Sequence, residues 1–205
     1  MMSNAREASP VTFFQELYAI VVGLGLALAV EQIVDLDRSG LPVAAEQIPV
    51  FLAYLNIAFA LAHASVRYLQ LAYVDGVIGA LGRGRVIADL TLGVGHFLWL
   101  MSLSFLIARP SAFAYVAIVL LMGRPLRDGF LILAKRPRLE FDKKVATIHL
   151  VTIAALIATL ATGTVVAAET EIWALRFGVL IASLVFGLGM YILAFPYFFP
   201  TATAE

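Results

Sequence analysis

Three histidines, His63, His96 and His149, stand inside long apolar runs. Neutral imidazoles at one depth on neighbouring helices can ligate haem iron from both sides, the chemistry of a b-type electron carrier. His63 and His96 lie roughly 14 and 11 residues from the same-side ends of their runs, within about one helical turn of each other in depth. Ala62, Ala64, Gly93 and Gly95 flank them and would leave room for a macrocycle. One histidine per run is equally the pattern of side chains that hydrogen-bond between helices or take part in gating. The leading expectation is therefore no cofactor and no metal, with haem b on His63 and His96 as the alternative.

Two carboxylates offer a different chemistry. Glu16 and Glu31 sit near the two ends of VTFFQELYAIVVGLGLALAVEQIV, residues Val11 to Val34. Fifteen residues at about 100° each bring Glu31 to within about 60° of Glu16 on the helix surface. Between them that side carries Ile20, Gly23, Ala27 and Val30, apolar throughout and small in the middle. Acidic mouths joined by a dry waist fit a pore-lining helix. They fit equally a packing helix whose small residues admit a neighbour while its acids lie at the two interfaces. Arg67, Arg124, Arg127 and Asp128 are further charges expected at membrane depth, where each must face the bundle, water or a partner. No Ser-His-Asp order, HExxH or phosphate-binding loop occurs, so no enzyme activity is expected. The chain has no cysteine, which removes disulfides and thiolate chemistry.

The elements that must hold these residues are set by composition. The chain is 62% hydrophobic and 14% charged over 205 residues, with a mean hydropathy of +0.95. Soluble domains are about 45–50% apolar and about 25% charged, so this is the composition of an integral membrane protein. Lipid cannot satisfy open backbone groups, and the apolar runs are continuous rather than alternating, so the expected fold class is all-α. Six transmembrane helices are expected, at about 11–34, 49–73, 86–107, 111–134, 145–167 and 172–195, in a single domain covering 1–205. The first run lacks the basic start and the cleavage site of a signal peptide. Polar loops are expected at Asp35 to Gln47, Asp75 to Arg85 and Lys135 to Lys144, a tight turn at Arg109 to Ser111, and an acidic turn at Glu169 to Glu171. Pro125 makes the fourth run either one kinked helix to Ala134 or a shorter span that turns along the interface.

Basic residues set the expected orientation. Arg6, Arg83, Arg85, Lys135, Arg136, Arg138, Lys143 and Lys144 fall on one side, against Arg38 and Arg109 on the other. The positive-inside rule then places both termini in the cytoplasm. With zero formal net charge and no basic tail, nucleic acid is not an expected partner.

Phe14-Gln15-Glu16-Leu17-Tyr18-Ala19-Ile20, followed by Phe51-Leu52 and by His63 through Arg67-Tyr68, resembles the opening of a known family. These are the transmembrane protein 175 type potassium channels, six-helix channels of lysosomes and bacteria that lack a P-loop filter. The likeness covers roughly the first 120 residues, with loop lengths and topology also similar. Gln15 stands for the family's serine, Glu16 for its aspartate and Pro10 for its arginine, and the tryptophan before the histidine is missing. The resemblance implies that first helices line a pore gated by a bulky aliphatic residue seven after the Phe. That position is Val21, with Leu24 and Leu28 on a similar face. This is a different face from the acidic stripe through Ile20 and Ala27.

The resemblance implies a cation channel, possibly for potassium, in the cell membrane, with a bacterial inner membrane as the expected location. Monovalent cations and the lipid bilayer are then its partners. Two first helices cannot enclose a pore, so a homotetramer is expected. In the family an arginine anchors the motif's acid; here Glu16 would need Arg67, at similar depth on the second span and one turn past His63. A non-catalytic subunit of a larger membrane complex is the remaining alternative.

Overall fold

The computed structural model describes residues 10–34, 43–73, 83–133, 140–165 and 168–198. Six helices account for nearly all of them: α1 (Pro10–Ile33), α2 (Ile48–Tyr73), α3 (Arg83–Phe105), α4 (Pro110–Leu133), α5 (Glu140–Val165) and α6 (Ala168–Phe198). No strand occurs among the described residues, only an isolated antiparallel bridge between Val34 and Val43. Four helices, α1, α2, α5 and α6, are long and apolar enough to cross a membrane. The apolar parts of α3 and α4, Gly93–Phe105 and Pro110–Leu126, are shorter. Arg83, Arg85 and Asp89 occupy the start of α3, and Arg124, Arg127 and Asp128 the far end of α4.

The expected runs all appear as helices, but three begin early. α3 starts at Arg83 rather than Val86, α5 at Glu140 rather than Val145, and α6 at Ala168 rather than Ile172. In α5 and α6 the added residues bring acids, Glu140 and Asp142 or Glu169 and Glu171, into the opening turn, where the helix dipole favours negative charge. The acidic turn expected at Glu169 to Glu171 is thus helical. α4 runs as one helix through Pro125 to Leu133, the continuous form of the two expected. Proline has no amide hydrogen, so the carbonyl of Leu121 loses its helical partner there.

The loop after α1 is more ordered at its ends than its polar sequence suggests. The Ala44 amide donates to the Ile33 carbonyl at 2.7 Å, and a 3-10 turn at Ala45–Gln47 leads into α2. Residues 35–42, 74–82 and 134–139 lie outside the described residues; of the loops expected at Asp75 to Arg85 and Lys135 to Lys144, the last residues, from Arg83 and from Glu140, are helical instead. Between α3 and α4 the tight turn is confirmed: Arg109 N–H donates to Leu106 O at 2.8 Å, and Pro110 opens the next helix. Proline suits that first position because its missing donor would have no partner anyway.

The helices form a closed ring in the order α1, α2, α6, α5, α4, α3 and back to α1. The largest interfaces join α6 to α2 and to α5. Tyr54, Phe113 and Phe186 are the largest fully buried side chains at the centre. Two buried serine hydroxyls bond within their own helices: Ser104 Oγ donates to Met101 O at 2.6 Å and Ser183 Oγ to Leu180 O at 2.8 Å. That removes the cost of leaving a donor bare in an apolar interior.

Glycines set the closest approaches. A Cβ at Gly178 would collide with the Thr159 side chain, so α5 and α6 meet almost backbone to side chain. Likewise a Cβ at Gly25 would strike the Tyr54 hydroxyl, yet would lie 3.5 Å from its Cζ. No described protein group hydrogen-bonds that hydroxyl. Gly25→Ala is therefore expected to destabilise the protein by about 1–3 kcal/mol through overpacking. Combined with Tyr54→Phe it should recover most of the loss, because only the hydroxyl stands in the way. Thermal unfolding of the four-member cycle in detergent measures this; a double variant as unstable as Gly25→Ala alone would refute it.

Candidate functional site

α1 turns Tyr18, Gly25, Ala29 and Ile33 inward, where Tyr18 meets Phe97 of α3 edge to face at 4.6 Å between ring centroids. The opposite side is bare. Glu16, Ile20, Gly23, Ala27, Val30 and Glu31 are all exposed, so the whole stripe between the two carboxylates is left uncovered by its own chain. At about 1.5 Å per residue the two acids stand about 22 Å apart along the axis. Ile20 is 66% exposed and Leu24 51% exposed. Val21 and Leu28 are half-buried. Of the three residues that the resemblance marked as a gate, Leu24 is the one that reaches well into the outward face.

Beside this stripe, α2 presents a ridge at helical spacing: Leu52, Asn56, Phe59 and His63. Asn56 donates Nδ2–H to Leu52 O at 2.8 Å, and its Oδ1 lies over Gly187 of α6. His63 Nδ1 is 2.8 Å from Phe59 O. A carbonyl only accepts, so Nδ1 is the donor of this bond. The His63 ring meets that of Tyr191 edge to face at 6.3 Å. Between α2 and α6 lies a groove of about 860 Å³, lined by Asn56, His63 and Tyr191 among apolar side chains. A second groove of about 500 Å³ lies between α1 and α2, lined by Gln15, Tyr18, Gly23 and again Phe59 and His63. His63 thus borders both grooves, on the outward side of the ring.

Of the other two histidines, His149 is buried and His96 is half-buried. His149 is 4% exposed and stacks on Phe186 at 5.3 Å. Its ionisable neighbours are Arg124 of α4 and His96 of α3. Neither ring nitrogen of His149 hydrogen-bonds a described protein group, nor does the fully buried Thr152 hydroxyl nearly one turn on. His96 and Arg124 thus lie within electrostatic reach of His149, while His63 lies with Asn56 and Tyr191. α2 and α3, which carry the two proposed haem ligands, touch each other sparingly: α2 packs mainly on α6, and α3 on α1. Among the described residues, no group of three or more metal-ligating side chains is present.

The expected Glu16–Arg67 pair is half visible. Glu16 is exposed at the start of the stripe, while the Arg67 side chain, like those of Arg127 and Asp128, lies outside the described residues. The His149 group escaped the sequence, which marked its members as intramembrane but not as neighbours. Its one signal was that α3, α4 and α5 follow one another through short connections. Comparison with protein-family models, with curated proteins and with solved structures returns no match.

Proposed function

We propose that this chain is the subunit of a homo-oligomeric cation channel that moves ions passively through a hydrophobically gated lumen. The observation that carries the reading is the bare outward stripe of α1, with a carboxylate at each end and only apolar or small residues between. Exposed carboxylates at both mouths would concentrate cations, and the apolar waist would hold the lumen dry until it widens. In this reading Ile20 and Leu24 form the waist, with Val21 and Leu28 on its shoulder. All six helices span the cell membrane, with both termini on the cytoplasmic side. Four copies are the expected assembly, and potassium is the ion that the resemblance of the opening motif favours. His63, Arg67 and Glu16 act as polar contacts around the lumen wall. The haem alternative is less favoured, because α2 and α3, which carry His63 and His96, touch each other sparingly.

Single-cysteine variants test the lining directly. A water-soluble thiol reagent should modify positions 20, 23 and 24 of the reconstituted protein faster than lipid-facing position 150 on α5. Leu150 is similarly exposed, at 54%, so accessibility within one chain does not predict the difference. Equal protection at all four positions would mean that the stripe faces lipid and that no lumen runs along α1.

A further inference from the structure

In the ring, α1 has α2 on one flank and α3 on the other. Building on the channel reading, in which the α1 stripe faces the lumen, identical copies around an axis meet flank to opposite flank. The α2 side of one then meets the α3 side of the next. Both flanks carry an outward row that repeats every seven residues: Leu52 to Phe59 and Asn56 to His63 on α2, Ile87 to Val94 and Thr91 to Leu98 on α3. Such a repeat keeps two helices in contact over several turns through a shallow left-handed wrap. Consecutive spans run in opposite directions, so the two rows align antiparallel, with the outer ends of their apolar parts, Ala45 and Phe105, level. Counted from those ends, Leu52 falls opposite Leu98, Asn56 opposite Val94, Phe59 opposite Thr91 and His63 opposite Ile87. One register pairs all four residues of the α2 row.

Two details at that register call for protein rather than lipid. One Nδ2 hydrogen of Asn56 goes to Leu52 O; the other bonds no described protein group, and acyl chains offer it no acceptor. On α3, a Cβ at half-buried Gly95 would meet nothing within 4 Å. A glycine in mid-helix weakens the helix relative to alanine, and here no described neighbour makes use of the space it leaves. Thr91, Val94, Gly95 and Leu98 bound a hole floored by that glycine, and Asn56 is the knob at its depth. The Thr91 hydroxyl donates to Ile87 O at 2.8 Å and keeps lone pairs that can accept an amide hydrogen. We infer that α2 and the α3 helix of the adjoining copy form the contact between subunits, antiparallel and in this register, with Asn56 seated over Gly95 of the partner subunit and donating to Thr91 of the partner subunit.

The chain has no cysteine, so introduced thiols report alone. Chains carrying Phe59→Cys and chains carrying Thr91→Cys, differently tagged and co-expressed, should form mixed disulfide dimers when isolated membranes are mildly oxidised. Either chain expressed alone should stay uncrosslinked. Leu52→Cys with Leu98→Cys should behave in the same way, whereas Leu52→Cys with Thr91→Cys, two turns out of register, should not. Gly95→Leu, added to the Thr91→Cys chain, fills the hole and should lower the mixed product by about fivefold or more. Ala154→Leu on α5, across the ring, should leave it unchanged. Native mass spectrometry of the unsubstituted protein separates the two levels of the argument. An oligomer in which neither in-register pair crosslinks would overturn this interface and leave the channel reading standing; a monomer would remove both. Phe59→Cys crosslinking as readily to itself, or Gly95→Leu leaving the mixed product intact, would also overturn the interface. Melting temperatures identify any variant that fails to fold, and the pair at exposed Leu52 and Leu98 then replaces the first.

Discussion

Leu24→Asn is expected to raise monovalent cation flux through proteoliposomes by about tenfold or more over the unsubstituted protein. A hydrophobic constriction excludes ions because water leaves it, and an amide at the waist gives water something to bond. In a symmetric assembly one substitution places a ring of amides at the same height. Leu24 is the position to change because it belongs both to the outward face of α1 and to the gate that the family resemblance implies. Leu150→Asn on α5 provides the comparison, since it adds the same amide to a similarly exposed leucine on a helix across the ring. Flux read with an entrapped potassium-sensitive dye should rise for Leu24→Asn and stay at baseline for Leu150→Asn. A rise in both would point to general bilayer leakage, and a rise in neither would remove the channel reading.

At the ring's interior, His149→Ala is expected to lose about 2–5 kcal/mol of stability, the usual cost of a cavity in a close-packed core. His149→Phe should behave very differently. The ring keeps its stack on Phe186, and the two nitrogens that bond no described protein group are removed. Leaving such groups buried costs about 1–3 kcal/mol, so their loss should offset the slight mismatch in shape, and the net change should be near zero or favourable. Thermal unfolding in detergent decides the matter. If His149→Phe were as damaging as His149→Ala, the imidazole would be a working polar link to Arg124 and His96 rather than an aromatic filler.

Much of the helical layout was legible because a bilayer leaves the backbone few options: continuous apolar runs bounded by polar loops become helices. The starts of α5 and α6 were harder, since Glu140, Asp142, Glu169 and Glu171 read as loop charges by composition and yet suit the first turn of a helix. Which helices touch was not legible. Spans that are apolar on nearly every side carry no stripe that names a partner, and the largest interface joins α2 to α6, far apart in the chain. The candidate site divided along the same line. The stripe from Glu16 to Glu31 lies on one helix and follows from periodicity alone. The larger groove beside His63 needs α6 beside α2, and His149 with its neighbours needs α3 and α5 both packed on α4, so neither could be read from spacing.

The order of helices around the ring also has a consequence for biosynthesis. From α2 the ring passes to the last helix and then runs backward through α5 and α4 to α3. A nascent chain entering the membrane in sequence can pair α1 with α2 early and stack α3, α4 and α5 as they emerge. It cannot close the circle until α6 is released. Until then the flank of α2 that bears Asn56 is an open edge, and α6 completes it by laying Gly187 against that side chain. The final helix is therefore the keystone of assembly, and a chain truncated before Ala168 would insert into the bilayer as an unclosed arc.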